Sequence, residues 1–433
     1  MMRCPHCQAQ LDEDTIYCGN CGQQVAPLQA RGATASYVTE RRDAGVSFIP
    51  AQRTAPAVPG PAVPSHKNTP PPQGPPPVRR GRRPGLLAIA ILLLILLAGG
   101  TVLALTLLKS NPSGGVAANA SGQVTFFDGP NGTGGTDALK IAVSGLSAPA
   151  AGSQYDAWLV DEAGEHTTPL GTLSAQGNLF SLNFAGTGSS GQPGTNLLGS
   201  GNVVEITLEQ GKVQLPTGKV LLSATFPPKA FVHIKHLLFS FPTTPAKIGL
   251  LVGLLNQTRL LNAQALALQS LAGNGDAAAI TCIAQSIIDI SEGEQGSHFQ
   301  LPPPSCGSSI PTGDGFGILG TNGYATTAAT HASLAATQSD STANIRLHAG
   351  EVEAGTTNIT GWVTTIDHDA LQLLSNPGDI KSIQEIVALA NHAFQGVDAN
   401  GNGQIDPGDG EEGAATAYLR GQLMASLTLT PRL

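Results

Sequence analysis

Four cysteines near the N-terminus have the types and spacing of a metal site. Cys4 and Cys7 form one CxxC pair, and Cys18 and Cys21 form a second. Two such pairs can set four thiolates at the corners of a tetrahedron, the geometry that Zn²⁺ prefers. Because so short a segment cannot build an apolar core, metal binding would drive its folding. The spacing predicts a structural zinc site, with a disulfide or redox pair as the alternative.

Oxygen-bearing side chains alternate in the segment VDANGNGQIDPGD, residues 397–409. Ca²⁺ takes six to eight oxygen ligands, and alternate side chains of a tight loop can supply them. With few carboxylates, the expected affinity is weak, about 10⁻⁴ to 10⁻³ M, and the expected role is a structural clamp. The predicted ligands of loop 398–409 are Asp398, Asn400, Asn402, Gln404 through its backbone carbonyl, Asp406 through water, and Asp409.

Two alternatives remain open for this loop. The twelfth position holds Asp409, one carbon shorter than the Glu that usually binds Ca²⁺ with both oxygens, so Glu411 or Glu412 is an alternative ligand. A turn rich in Gly, Asn and Asp that holds no metal is the other interpretation.

Two further cysteines, Cys282 and Cys306, lie in the second half of the chain. A bridge between them would close a loop of about 25 residues and contribute about 3 kcal/mol in the chain-entropy model. Cys282 also lies on an apolar stripe, where it could be a small buried hydrophobe. A disulfide is therefore a possibility that the sequence leaves open.

The histidines give no catalytic or metal-binding pattern. No HxxxH or ExxH spacing is present, and no nucleophile elbow or HExxH motif occurs. We therefore expect ordinary histidines and a protein that is not an enzyme, with an envelope enzyme as the weakest hypothesis. The histidines considered are His166, His233, His236, His331, His348, His368 and His392.

An uncharged apolar run at residues 85–108 would position these sites relative to a membrane. At about 1.5 Å per residue it reaches roughly 35 Å as a helix, enough to cross a bilayer. Arg79, Arg80, Arg82 and Arg83 precede it. The positive-inside rule then predicts a single-pass protein of the cell membrane, with the lipid bilayer as a partner, a cytoplasmic N-terminus and extracytoplasmic C-terminal domains.

The segments on the N-terminal side of this run form two regions. The sequence PHCQAQLDEDTIYCGNCG resembles the small zinc-ribbon family found at the N-termini of many bacterial membrane proteins. The resemblance implies a zinc ribbon over residues 1–25. Residues 26–84 include TPPPQGPPPV and are predicted to be a disordered, Pro-rich linker.

Short alternating runs predict an antiparallel β-sandwich over residues 122–242. The predicted strands are QVTFFD, ALKIAVSG, QYDAWLVD, LFSLNF, NVVEITLE and KVLLSATF, and Trp158 is expected in the core. The segments YDAWLVDEAGEHTTPLGTLS and ITLEQGKVQLPTGKVLLSA resemble the extracytoplasmic domain of the anti-sigma-K factor family. In that family a cytoplasmic helical domain holds a sigma factor, and this chain has a zinc ribbon and linker in its place.

A period of 3.6 residues predicts an all-α domain over residues 246–433. Asp276 is the predicted N-cap of the helix DAAAITCIAQSIIDISEG, and Asp340 of a later one. The similar segments NAQALALQS and HASLAATQS indicate a duplicated helical hairpin. The loop after DIKSIQEIVALANHAF resembles the EF-hand and dockerin calcium loop, and an exit helix is expected over 411–427.

The predicted fold class is multidomain: a small zinc ribbon, one transmembrane helix, a β-sandwich and an all-α domain with a helix–loop–helix calcium site. The first 84 residues carry ten Lys or Arg and five Asp or Glu, whereas the remainder carries twelve and twenty-five. Because residues 85–433 carry an excess of acidic side chains, they do not suggest nucleic-acid binding. The leading hypothesis is a non-enzymatic membrane protein that presents a binding or sensing module to an unknown protein partner, with the zinc ribbon as a cytosolic contact point. An anti-sigma-factor-like transmembrane regulator of transcription is the alternative.

Overall fold

The structure, a computed structural model, describes residues 2–3, 10–11 and 116–432, with gaps at 131, 133, 162, 187–193, 274, 308–309 and 409. The chain divides into two compact units, residues 1–29 with 111–433 and residues 30–110, and the second lies wholly outside the described part. Near the N-terminus, β1 (Met2–Arg3) pairs antiparallel with β2 (Gln10–Leu11). The four cysteines of the predicted zinc site lie outside the described residues, as does linker 26–84.

Nine further strands form one antiparallel sheet within the described residues. Its order is β6-β5-β9-β10-β11-β3-β4-β8-β7. The strands are β3 (Val116–Phe127), β4 (Ala138–Leu146), β5 (Ser153–Val160), β6 (Thr167–Thr172), β7 (Ser174–Gln176), β8 (Leu179–Phe184), β9 (Val203–Gln210), β10 (Lys219–Thr225) and β11 (Leu427–Pro431).

Alternating side chains explain why these segments form strands. In β4, Leu139 and Ile141 are fully buried while Lys140 between them is exposed, the period of two that a half-buried strand requires. Burial of each such aliphatic side chain contributes about 1.5–3 kcal/mol. Trp158 in β5 is buried as expected, and its indole N–H donates to Thr207 Oγ1 at 2.8 Å.

The last strand of the chain completes the sheet. β11 pairs with β3 through Leu427↔Val124 and with β10 through Leu222↔Pro431. The prediction of a self-contained β-sandwich followed by an all-α domain is therefore wrong. The sheet is continuous and includes a strand from beyond the helices. This strand, β11, lies between β3 and β10 and pairs with the edge of each.

Seven α-helices are described. They are α1 (Pro228–Leu238), α2 (Leu250–Leu271), α3 (Ala277–Glu292), α4 (Tyr324–Thr337), α5 (Ala343–Ser375), α6 (Ile380–Gln395) and α7 (Ala414–Met424). The two longest, α2 and α5, each contact α3, α4, α6 and α7. Sheet and helices share one apolar core, in which Val124 and Leu222 belong to the same cluster as Leu250 and Ile359.

Two local predictions are corrected. The segment FVHIKHLL, residues 231–238, lies within the predicted β-sandwich but belongs to α1. Asp340 does not cap α5: its carboxylate accepts the N–H groups of Lys229 and Ala230 at the start of α1, at 2.7 and 3.2 Å. Thr342 is the N-cap of α5 instead.

The predicted exit helix of residues 411–427 is shorter in the structure. It spans Ala414–Met424, and the chain continues into β11. The predicted N-cap Asp276 does accept the N–H of Ala279 at 3.0 Å.

The prediction of a single-pass membrane protein is also corrected. Over the residues that the structure describes, none of the helices has the length and apolar character needed to cross a bilayer. The run at 85–108, on which the prediction of a transmembrane helix and a cell-membrane location rested, lies outside those residues. A transmembrane helix is therefore not part of the fold described here.

Candidate functional site

The calcium-like loop lies between α6 and α7, and its two ends are tied together. Helix α6 begins at its N-cap Asp379, whose carboxylate accepts the N–H groups of Lys381 and Ser382. It ends at Gly396, whose φ of 90° is a conformation that favours glycine. The N–H of Val397 then donates to the carbonyl of Glu411 at 2.9 Å, so the loop closes before α7 begins.

Asp398, the predicted first ligand, organises the turn. Its Oδ1 accepts the N–H groups of Gly401 and Asn402 at 2.7 and 3.0 Å, and its Oδ2 accepts that of Gly403 at 2.7 Å. Gly401 and Gly403 have φ values of 74° and 85°. One carboxylate thus holds the sharp bend that an oxygen-lined loop needs.

The side chains at the third, fifth and ninth positions converge. Nδ2 of Asn400 lies 3.3 Å from Oδ2 of Asp406, and Nδ2 of Asn402 donates to the same oxygen. The Oδ1 atoms of Asn400 and Asn402 accept the N–H groups of Asn402 and Gln404 at 3.0 and 2.8 Å, so an amide that turned its oxygen to this point would give up that bond. The three side chains that alternate in the sequence therefore do meet in space.

Glu411 is the carboxylate that closes the loop. It is fully buried, and its Oε1 accepts the N–H groups of Ala399 and Asn400 at 2.9 and 3.1 Å. Its Oε2 accepts the N–H of Asp406 at 2.8 Å. Of the two alternative ligands named above, Glu411 is thus the one that turns into the loop. Asp409 lies outside the described residues.

Glu412 points elsewhere. Its Oε1 accepts from Nε of Arg420 at 2.8 Å, and Arg420 also lies 3.5 Å from Glu351 on α5. Burial raises the pKa of Glu412, although the bond to Arg420 opposes the shift. This residue joins α7 to α5 and is not a ligand candidate.

The α3–α4 loop repeats the backbone contacts of the α6–α7 loop. Helix α3 also ends at a glycine with positive φ, Gly293 at 71°, and the next residue, Glu294, donates its N–H to the carbonyl of Gly315 at 2.8 Å. The segments PTGDGFG, residues 311–317, and PGDGEEG, residues 407–413, both begin with Pro and end with Gly at the same spacing. The two loops therefore share a backbone frame, and the duplicated hairpin that NAQALALQS and HASLAATQS indicated stays a prediction.

The first of these loops has a covalent link. A disulfide joins Cys282 in α3 to Cys306 in the loop, with the two Cα atoms 5.5 Å apart. Two acidic groups interact at the end of α3: burial raises the pKa of Asp367 on α5 to about 6, and the charge of Glu292, the last residue of α3, adds to the rise. His298 lies 2.6 Å from Glu292 and partly offsets that charge.

A histidine cluster that sequence reasoning missed lies between α1 and α4. His233 and His236 are one turn apart on α1, and His331 comes from α4. Among the described residues, this is the group of His, Cys, Asp or Glu side chains whose ligand atoms all lie within 4.8 Å of one another. The signal was the i, i+3 spacing of His233 and His236, which becomes visible once FVHIKHLL is placed on a helix.

The other histidines considered above do not belong to this cluster. His166 pairs with Asp161 at 2.9 Å, and His348 with Glu351 at 2.6 Å. His392 packs against Trp362 with ring centroids 5.7 Å apart. His368 is a largely exposed side chain on α5.

Comparisons of the chain with protein-family models, with curated proteins and with solved structures found no match.

Proposed function

We propose that residues 116–432 form a non-catalytic binding or sensing module whose helical part is stabilised by Ca²⁺ in the α6–α7 loop. The observation that carries the proposal is the meeting of Asn400, Asn402 and Asp406 inside a turn ordered by Asp398. A protein partner, not a substrate, is the expected ligand of the module. The proposal gives Ca²⁺ a structural role.

The donor set fits a calcium ion better than a transition metal. It consists of carboxylate and amide oxygens, which hard Ca²⁺ prefers, and it contains no imidazole or thiolate. Asp398, Asn400, Asn402 and Asp406 would hold the ion, with Gln404 contributing its backbone carbonyl. Bound Ca²⁺ supplies positive charge among acidic side chains and fixes the loop.

Glu411 lies two residues after the twelfth position and also faces the loop. Its carboxylate accepts three backbone N–H groups, so it already orders the loop through hydrogen bonds. This leaves fewer carboxylate oxygens for the ion than a usual EF-hand offers, which favours the weak affinity stated above.

Thermal unfolding of the full chain tests the proposal. At free Ca²⁺ ten times the Kd, mass action adds about 1.4 kcal/mol to the free energy of unfolding. For a folded unit as long as residues 116–432, the melting temperature should rise by about 2 °C. The variant Asp398→Ala should show no rise, whereas Asp276→Asn, an acidic cap on α3, should keep it. Absence of a rise in the parent chain ends the proposal.

The zinc site at Cys4, Cys7, Cys18 and Cys21 is a separate proposal, because its residues lie outside the described part of the chain. One Zn²⁺ per chain should bind there through four thiolates and should be lost in Cys18→Ser. A metal content unchanged by that substitution would end the proposal. The anti-sigma-like regulator stays a prediction, since no contact or match described above favours it.

A further inference from the structure

The three imidazoles of the histidine cluster meet at short range. Nδ1 of His331 lies 3.2 Å from Nδ1 of His233 and 3.2 Å from Nδ1 of His236. The ring centroids of His236 and His331 are 4.8 Å apart, with the planes at 83°. Two helices thus aim three nitrogen atoms at one small volume.

These separations match the edge of a coordination tetrahedron. With Zn–N bonds of 2.0–2.1 Å, two nitrogen ligands of a tetrahedral ion lie about 3.3 Å apart. Both Nδ1···Nδ1 distances to His331 agree with that value to within about 0.1 Å. Each imidazole can therefore offer its Nδ1 lone pair to one shared ion.

Hydrogen bonding among the histidines does not account for the arrangement. A ring nitrogen carries either one proton or one in-plane lone pair, so Nδ1 of His331 can form one good bond and not two. One of its two contacts at 3.2 Å is left as two nitrogens facing each other. A cation that binds the Nδ1 lone pairs of all three imidazoles removes this conflict.

The surroundings keep the imidazoles neutral, which is the form that binds a metal. Burial lowers the pKa of all three, that of His331 to about 4, and the neighbouring imidazoles add to the shift at His331 and His236. Lys235 adds a further positive charge near His236. Within the described residues, no carboxylate belongs to the group of candidate ligands.

Two neighbours complete the site. The ring of Phe241 packs edge-on against His236 and His331, with centroids 5.3 and 4.9 Å away, and shields them from water. The amide of Gln338 lies 3.2 Å from Nε2 of His233. When that amide presents its oxygen, it accepts the Nε2–H and leaves Nδ1 free to bind, which makes Gln338 a positioning residue.

We propose that His233, His236 and His331 form a binding site for a borderline divalent transition-metal ion, with Zn²⁺ as its representative. Three imidazoles without carboxylate or thiolate suit Zn²⁺, Cu²⁺, Ni²⁺ or Co²⁺ and not Ca²⁺ or Mg²⁺. The three side chains are only half-buried, so the fourth position of the ion is open to water or to an outside ligand. The ion also joins α1, next to the sheet, to α4 of the helical part.

Zinc binding by the full chain tests this site. The metal-depleted protein and its His331→Gln variant are titrated with Zn²⁺, and bound metal is counted by equilibrium dialysis. The variant should bind one Zn²⁺ fewer per chain, with an affinity at this site at least about 100-fold lower, since loss of an outer-shell partner alone costs 10–100-fold. Gln338→Leu should lower the affinity by about tenfold without changing the number of ions.

Matched variants separate zinc binding at the histidine cluster from zinc binding elsewhere in the chain. His368→Gln replaces an exposed histidine and should leave zinc binding unchanged. Replacing Cys4, Cys7, Cys18 and Cys21 by Ser should leave the histidine site intact, and Asp398→Ala should as well. If His331→Gln does not fold, His233→Gln on the other helix decides in the same way. Equal zinc content in the parent chain and a folded histidine variant would overturn the proposal.

Discussion

The α3–α4 loop and the α6–α7 loop, the first and second loops below, share a backbone frame but differ in what holds them. Both begin at a glycine with positive φ, Gly293 or Gly396, and both close with one N–H···O=C bond across the loop. The first has the disulfide between Cys282 and Cys306. The second has Asp398 and Glu411, which together accept six backbone N–H groups. One frame can thus be stabilised covalently or by buried charge.

Removing the buried carboxylate of the second loop should have the largest effect. Glu411→Ala leaves three backbone N–H groups without their charged acceptor, and bonds of this kind contribute about 1.5–3 kcal/mol each. Because water can reach part of the loop, we expect a net loss of about 4 kcal/mol in the free energy of unfolding, measured by urea denaturation. Glu294→Ala, at an exposed position of the first loop, should cost less than about 0.5 kcal/mol. Similar losses of unfolding free energy in Glu411→Ala and Glu294→Ala would contradict the role of Glu411 in closing the second loop.

Removing the covalent link of the first loop should cost somewhat less. The paired replacement of Cys282 and Cys306 by Ser should lower the free energy of unfolding by about 3 kcal/mol, because the unfolded chain regains the freedom of a loop with a sequence separation of 24. Denaturation of the oxidised parent and the variant measures the difference. A reduced parent should behave like the variant, and a stability independent of reduction would count against the bridge.

Gly293 and Gly396, at which the two loops begin, offer the closest test of whether the loops share one backbone conformation. A Cβ on Gly293 would lie 2.6 Å from the N atom of Gly317, and one on Gly396 would lie 2.6 Å from the carbonyl oxygen of Glu411. Either Gly→Ala substitution should therefore cost about 2–3 kcal/mol by strain and crowding. Gly401→Ala is the control: its φ is also positive, but the space around it is open, so about 1 kcal/mol is expected. Unequal costs at Gly293 and Gly396 would mean that the two loops are not equivalent.

The smallest expected effect is a pH dependence that arises at Asp367 on α5, under the charge of Glu292 at the end of α3. Burial and Glu292 raise the folded-state pKa of Asp367 from 3.8 to about 6. The folded state then binds more protons than the unfolded state between these values, so the contribution of Asp367 to stability falls as pH rises through this window. Asp367→Asn should stabilise the protein more at pH 7 than at pH 4, as measured by denaturation at both values. A pH-independent difference between the variant and the parent would exclude this cause.

Local patterns in the sequence predicted the elements but not their long-range partners. The alternation in ALKIAVSG and the apolar stripe of residues 276–293 are properties of neighbouring residues, and both elements form as expected. Strand β11 was missed because LTLTP is short and its register depends on β3, about 300 residues earlier in the chain.

The same reasoning explains why the contacts of Glu411 and the histidine cluster were not predicted. Pro407, Gly408 and Gly410 separate the ninth position from Glu411, so its contact with the backbone of the loop could not be read from the spacing, and Asp409 stays a predicted ligand outside the described residues. The histidine cluster depends on His331 meeting α1 across the packing of two helices. No spacing in the sequence encodes a contact between residues almost 100 positions apart.

Calcium binding by the full chain is the most direct test of the central claim, that the second loop is a cation site and the first is not. Equilibrium dialysis with radioactive calcium at millimolar concentration should give one Ca²⁺ per chain. Asp398→Ala should remove it, and Glu294→Ala in the first loop should leave it bound. No bound calcium in the parent chain, or one ion retained in the Asp398 variant, would contradict the account.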